Sequence, residues 1–248
     1  MGDRPFFSII TCTFNSERFI EKNINSVLSQ NFSDYEHLVI DGLSTDKTIS
    51  ILQKKFHSRL YVYSEADLGI YDAMNKGIER AKGKYLIFLN SDDAFSNFQV
   101  LHYVNEQLQL GFNVFFGSVH FLDSLGNVAR DWIVHPGIAK KNKFYVPPHP
   151  GFFVELDLLN KYNLRYNLAY RICSDMDLML TVRVLPDSNC FYSEKVITNM
   201  EYGGISTQKR TLLRRIYEVF YIYMRHSSSF TFSFQLILDR YIKRITKN

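Results

Sequence analysis

Four polar residues in a row, Asn90-Ser91-Asp92-Asp93, follow directly on the apolar run Tyr85-Leu86-Ile87-Phe88-Leu89. Five apolar residues without a break describe a strand buried on both faces. The C-terminal end of such a strand opens onto the crevice where open α/β sheets bind ligands. Two neighbouring carboxylates repel each other there unless a cation or a set of donors compensates. A hard divalent ion held by oxygen ligands and shared with substrate phosphates is the usual compensation. A plain turn leading into a helix N-cap is the alternative, because Asp and Ser suit both roles.

Other acids fall at comparable places. Asp41 closes the strand-like run Glu36 to Ile40, and Asp67 follows the short run Leu60 to Tyr63. If these strands are parallel, Asp41, Asp67, Asp92 and Asp93 share one edge of the sheet. A carboxylate at that edge can accept from ribose or base donors, as the ribose-binding acid of dinucleotide folds does. Taken alone, Asp41 reads first as a turn residue. Neither a GxGxxG after the first strand nor a GxxxxGK[ST] is present. Phosphate must therefore be handled in another way, which favours a metal ion.

The elements that would position these acids alternate. Phe6 to Cys12 reads as a strand, and Arg18 to Gln30 has the apolar spacing of one helix face. Strand Glu36–Ile40, helix Asp46–Phe56, strand Leu60–Tyr63, helix Ile70–Ala81 and strand Tyr85–Leu89 follow. This alternation describes an α/β domain with a mainly parallel central sheet. Beyond it the pattern changes. A helix is expected over Asn97 to Leu110, then strands over Val114–Phe121 and Val128–Val134 joined as a hairpin. Further strands are expected over Gly151–Val154 and Cys190–Val196, with a short helix over Asp175–Arg183 between them.

Four segments together resemble family-2 glycosyltransferases of the GT-A fold. They are Thr11-Cys12-Thr13-Phe14-Asn15-Ser16-Glu17, Asp41-Gly42-Leu43-Ser44-Thr45-Asp46, Asp67 through Gly77, and Asn90-Ser91-Asp92-Asp93. The resemblance is good over residues 6 to 120, weaker from 145 to 206, and absent from the last forty. It implies a GT-A-like nucleotide-binding sandwich over 1–208, with a nucleotide-sugar half (1–120) and an acceptor half (121–208). Outside the resemblance, the apolar spacing of residues 209–248 leads to the expectation of a separate helical tail. The resemblance also places Thr11, Thr13, Phe14, Asn15, Glu17, Asp41, Asp67, Asn90 and Ser91 at the nucleotide. Asp92, supported by Asp93, would coordinate Mn²⁺ or Mg²⁺ on the diphosphate. Asn90 departs from the family's Asp-x-Asp pattern: an amide can bond ribose but adds no charge. Asp175, at the family's Glu-Asp position with Ser174 in place of Glu, would be the catalytic base, and Asp177 is second choice. Ser174 and Asp175 as ordinary helix-start residues are the alternative. His149, Asp177 and Arg210 remain as acceptor-site or loop candidates.

Composition narrows the setting. The chain has 248 residues, 46% hydrophobic, with 21 Phe and 16 Tyr, enough for a substantial core. Three scattered cysteines without a CxxC pair suggest neither a disulfide framework nor a zinc site. No signal-peptide pattern and no apolar stretch of about 18 residues occur, so a cytoplasmic location is expected. Residues 209 to 248 carry nine Lys and Arg against two acids, while the rest of the chain is net acidic. That tail reads as two basic amphipathic helices, Thr211–Met224 and Phe234–Ile245, which could lie on the inner face of an anionic membrane or pack on the domain. No nucleic-acid module is visible.

These readings converge on an inverting, metal-dependent glycosyltransferase of surface polysaccharide or lipopolysaccharide synthesis. Its partners would be a nucleotide-sugar, a UDP-sugar first, and a glycan or lipid-linked acceptor. Two rivals are a nucleotidyltransferase on a related scaffold, which would need a glycine- and lysine-rich loop absent from Thr11–Glu17, and a non-catalytic binding subunit.

Overall fold

A computed structural model describes residues 4–201 and 211–237, apart from 228, 230 and 232. The first ninety residues alternate as the spacing predicts. They give β1 (Phe7–Thr13), α1 (Ile20–Leu28), β2 (Tyr35–Asp41), α2 (Thr48–Lys54), β3 (Leu60–Ser64), α3 (Ile70–Arg80) and β4 (Tyr85–Phe88). These strands lie in the order β3-β2-β1-β4, all parallel.

The rest of the chain extends the same sheet with mixed directions. It supplies β5 (Asp93–Phe95), α4 (Val100–Leu108), β6 (Val114–Leu122), β7 (Val128–Trp132), α5 (Pro136–Lys141), a 3₁₀ turn (His149–Gly151), β8 (Phe152–Glu155), α6 (Leu156–Lys161), α7 (Ser174–Arg183), β9 (Cys190–Glu201) and α8 (Leu212–Ser227). Strand β8 slots antiparallel between β4 and β6, β9 runs parallel to β6, and β5 pairs antiparallel with β9. Strand β7 folds back on β6 as the expected hairpin. The division expected at 120/121 falls inside β6, so the two halves share one sheet.

The period-two pleat explains the unbroken apolar runs. Ile10, Leu38, Leu86 and Phe88 point to one side, against Met74 and Ile78 of α3 and Leu178 and Met179 of α7. Their neighbours Phe7, Ile9, Tyr85 and Ile87 point to the other side, against Val27 of α1 and Leu101 and Val104 of α4. With helices on both faces, each strand needs apolar residues at every position. Helix α3 comes close because Gly77 has no side chain: a Cβ there would lie 2.5 Å from Cγ2 of Ile10.

Three features differ from the expectation. Asp93 begins β5 rather than ending a turn, because Asp93–Phe95 pair with Thr198–Met200, which local periodicity does not register. Strand β9 continues past Val196 to Glu201, carried by its pairing with both β6 and β5. Helices α5 and α6 are too short to show a clear apolar period.

Helix α8 packs on the domain. Val219, Ile222 and Tyr223 meet Phe144, Tyr170, Cys173, Met176 and Leu180. Of the second tail helix, expected over Phe234–Ile245, only 234–237 is described, so its expected apolar residues Leu238, Tyr241, Ile242 and Ile245 lie outside the described residues. Among the described residues no helix is long and apolar enough to cross a membrane.

Candidate active site

The parallel strands end level with one another. Thr13, Asp41 and Ser64 are register partners at the C-terminal ends of β1, β2 and β3. Asn90 to Asp93 follow β4 at the same edge, so the sheet gathers the acids as their positions imply.

The first two motif segments mostly bind each other. Asn15, at φ 48°, accepts from the Thr45 N–H at 2.8 Å on Oδ1, and its own N–H donates to Ser44 Oγ. Glu17 Oε2 accepts from the Lys47 N–H at 3.0 Å, while its N–H donates to Asp46. Asp41 is fully buried and accepts from the Ser44 N–H at 3.0 Å, from Ser44 Oγ and from Ser64 Oγ. It therefore holds the turn through Leu43, a non-glycine residue at φ 62°. Asn15, Glu17 and Asp41 thus hold the loops that frame this edge. Thr11 faces the interior of the sheet. It is fully buried, and its hydroxyl donates to the Leu89 carbonyl at 2.8 Å, because alternation turns it inward. Thr13 is buried too, its hydroxyl without a hydrogen-bond partner and its carbonyl accepting from the Gly42 N–H.

Phe14 and Asp67 lie together at the open side of this edge. Phe14 is 61% exposed. Asp67 Oδ1 accepts from the Gly69 N–H at 2.8 Å, and Oδ2 lies 2.6 Å from where a Cβ on Gly42 would stand. The same hypothetical Cβ is 3.5 Å from the Phe14 ring. An aromatic face, a carboxylate and a bare backbone thus meet at one place, offering a stacking surface and a hydrogen-bond acceptor for a nucleoside.

The acidic turn is pinned from below. The Asn23 amide reaches the carbonyls of Leu89, Asn90 and Asp93 at 2.9 to 3.2 Å. Asn23 was not singled out by its chemistry. Its signal is an amide on the buried face of α1, between Ile20, Ile24 and Val27. Ser91 Oγ lies 2.9 Å from Ser16 Oγ. Asn90 Oδ1 and both carboxylate oxygens of Asp93 are buried without a hydrogen-bond partner. Burial pushes the Asp92 carboxyl above the usual carboxylate range, and the Glu201 charge adds to this. Asp93 is raised further, by burial first and then by the Asp92 charge beside it. Oxygens left unpaired in a repelling pair fit a hard divalent cation. Among the described residues no three His, Cys, Asp or Glu side chains gather as a metal cage. A cation here would rest on Asp92, with Asp93 and Asn90 beside it, and be completed by ligand oxygens.

Across the sheet, Asp175 sits in the first turn of α7, partly buried. Its Oδ1 accepts from the Tyr71 hydroxyl at 3.2 Å and from the Met176 N–H at 2.8 Å. Burial, then the Asp175 charge, raises Tyr71 well above the usual tyrosine range, so it stays a donor. Tyr71 stacks on Tyr166 at 5.6 Å, and Tyr166 meets Phe88 edge-on at 5.2 Å. This run of rings joins the strand that leads to the acidic turn to the helix that carries Asp175. His149 belongs to it as a buried residue, 2.7 Å from the Tyr166 hydroxyl and stacked on Phe88, with its pKa lowered by burial. Phe152 and Phe153 are core. Asp177 does not join Asp175. It is buried against α8, paired with Arg225 at 2.5 Å and His226 at 3.0 Å, so it fastens helices together. Arg210 and the loop 202–210 lie outside the described residues.

The family described as Glycosyl transferase family 2 matches residues 8–152, more than half of the chain. The chain belongs to that family. It is a glycosyltransferase, and the sheet just described is its GT-A fold. A PGL/p-HBAD biosynthesis glycosyltransferase of Mycobacterium tuberculosis is 27% identical over 220 residues, covering 82% of this chain and 79% of the relative. An uncharacterized glycosyltransferase of the same species is 34% identical over 188 residues, covering 73% and 70%. A Bacillus subtilis glycosyltransferase named for teichuronic acid biosynthesis is 42% identical over 93 residues, covering 36% and 37%. Among solved structures, Staphylococcus aureus TarS 1–349 in complex with UDP-GlcNAc superposes with a TM-score of 0.67 at 18% identity, covering 94% of this chain and 70% of that one. The Pyrobaculum calidifontis mannosyltransferase PcManGT, in complex with GDP-Man and Mn²⁺, gives 0.63 at 14% identity, covering 92% and 66%.

Proposed function

We propose that this glycosyltransferase moves a sugar from a nucleoside-diphosphate sugar to a hydroxyl of a surface glycan or lipid-linked acceptor, with inversion and with a divalent cation. The observation that carries the reading is the group of unpartnered, buried oxygens of Asn90 and Asp93 beside the raised carboxyl of Asp92. Relatives named for PGL/p-HBAD and teichuronic acid biosynthesis, one neighbour that holds UDP-GlcNAc and another that holds GDP-Man and Mn²⁺ support it.

Phe14 and Asp67 receive the nucleoside, and the bare backbone at Gly42 leaves room for it. Asp92, with Asn90 and Asp93, holds Mn²⁺ or Mg²⁺, which when bound neutralises charge on the departing diphosphate. Asp175 is the base. The acceptor oxygen bonds to the anomeric carbon as its proton passes to Asp175, and the bond to the diphosphate oxygen breaks. Tyr71 holds the carboxylate in place for that transfer. Residues 1–120 serve the donor and 121–208 the acceptor.

The exposed Leu213, Tyr217 and Tyr221, spaced four apart on α8, support contact with a membrane surface that presents the acceptor.

The test is release of nucleoside diphosphate from UDP-, GDP- and dTDP-sugars, with Mn²⁺ or with EDTA, for wild type and Asp92→Ala. Metal-dependent turnover of one donor, lost in the variant, is expected. No turnover together with no calorimetric binding of any donor would sink the reading.

A further inference from the structure

The loop before α7 is held by a residue from the tail. Glu218, in the middle of α8, is only 3% exposed. Its Oε1 accepts from the backbone N–H of Arg171 at 2.9 Å, and its Oε2 from those of Ile172 at 2.9 Å and Cys173 at 3.0 Å. Arg214, one turn earlier, donates to Oε1 at 3.2 Å. Three consecutive N–H groups around one carboxylate make an anion nest, here filled by the protein itself.

The position of that nest matters. It ends at Cys173, the residue that precedes α7 and gives it no side-chain cap. Asp175 stands two residues further on. The same loop closes one side of a pocket of about 170 Å³, lined by Leu168, Tyr170 and Arg171 and, opposite, by Leu68, Gly69 and Tyr71. The Arg171 side chain bridges the two walls, reaching the Leu68 carbonyl at 3.2 Å. Tyr71, on the far wall, is the residue that bonds Asp175.

A buried carboxylate is costly unless fully bonded, and an apolar residue would suit the surrounding Val219, Ile222 and Tyr223 better. Anchoring of α8 is already provided by that apolar contact and by the Arg225 and His226 pairs to Asp177. What Glu218 adds to that anchoring is a set of three bonds to the backbone of 171–173.

We infer that Glu218 is a positioning residue for transfer: through the backbone of 171–173 it sets the place of Asp175 and of the pocket wall beside it. The inference rests on Asp175 as the base.

The experiment compares wild type, Glu218→Gln, Asp177→Asn and Asp175→Asn by steady-state kinetics with donor and acceptor, donor calorimetry and thermal melting. Glutamine keeps size and helix propensity but turns an N–H₂ group toward N–H donors. Glu218→Gln is expected to lower kcat by about ten- to a hundred-fold, with donor Kd within about three-fold of wild type. Asp177→Asn, which loosens the other attachment of α8, is expected to lower the melting temperature while keeping kcat below that temperature. Wild-type kcat in Glu218→Gln, with Asp175→Asn inactive, overturns the inference and leaves the base in place. Full turnover in Asp175→Asn overturns the base assignment itself. Hydrogen exchange on the wild type gives a readout that needs no variant. The amides of Arg171, Ile172 and Cys173 are expected to exchange as slowly as those of α7, and exchange at exposed-loop rates overturns the inference.

Discussion

The Tyr71 hydroxyl donates to Oδ1 of Asp175 at 3.2 Å across 104 residues of chain. It ties the first turn of α3, in the donor half, to the first turn of α7. The bond is to a carboxylate from a tyrosine that keeps its proton, so removing it should be felt in chemistry more than in binding. Tyr71→Phe is expected to lower kcat by about ten-fold, the worth of one charge-assisted hydrogen bond, with donor KM unchanged. A rise in donor KM with kcat intact would contradict this.

Gly42 offers a separate handle on the donor. A methyl group there would meet Asp67 Oδ2 at 2.6 Å and press on the space beside Phe14. Gly42→Ala should displace the Asp67 carboxylate and weaken donor binding, with melting shifted by only a few degrees. Calorimetry with the donor found for wild type checks it; unchanged affinity would remove Asp67 from the nucleoside site.

Removing the charge of Asp92 tests the cation site directly. Asp92→Asn is expected to lose metal-dependent turnover by at least about a hundred-fold while folding normally. Circular dichroism and turnover across a Mn²⁺ series test both parts. Turnover restored to wild type by excess Mn²⁺ would show that Asp92 sets only the affinity for the metal.

His37 predicts an acid-side loss of stability. Burial lowers its pKa to about 3 from the 6.5 of an ordinary imidazole, and it sits fully buried within 2.9 Å of Thr11 Oγ1. Between those values the unfolded chain binds a proton that the folded chain refuses. This contribution is whole above pH 6.5 and is lost by about 1.4 kcal/mol per pH unit below it, toward pH 3. In denaturant melts, the stability gap between wild type and His37→Gln should therefore shrink as pH falls from 7 to 5. A gap independent of pH would mean that His37 titrates normally in the fold.

Membrane contact can be read on vesicles. Leu213 is 82% and Tyr217 67% exposed, so changing both to Gln should leave stability within about 0.5 kcal/mol. Cosedimentation with anionic vesicles should fall. Equal sedimentation of both proteins would mean that this stripe does not touch lipid.

How much of this could be read in advance depends on the range over which each feature is decided. Helix α3 and strand β4 are set by local period, and both lie within a residue of their expected ends. Strand β5 depends on β9, about a hundred residues later, and the local pattern shows only the turn that ends at Asp93. The site divides in the same way. Asp92 and Asp175 stand out because charge follows or interrupts apolar pattern. Thr11, by contrast, stands in a ligand-like motif but on the inward phase of β1, and only the pleat reveals that. Asn23 and Glu218 look like minor polar residues on amphipathic helices. Their partners are backbone groups elsewhere in the chain, and backbone groups leave no mark in a sequence.

The placement of β8 has a consequence for how the chain is made. Strands β3, β2, β1 and β4 come from the first 88 residues and can pair as soon as they leave the ribosome. Strand β4 then presents an open edge until residues 152–155 arrive to cover it. Synthesis at about 5–20 residues per second leaves that edge bare for several seconds, long enough for strands of neighbouring chains to pair with it. Crowded, rapid expression should therefore cost soluble yield at this step, and slower synthesis should recover it.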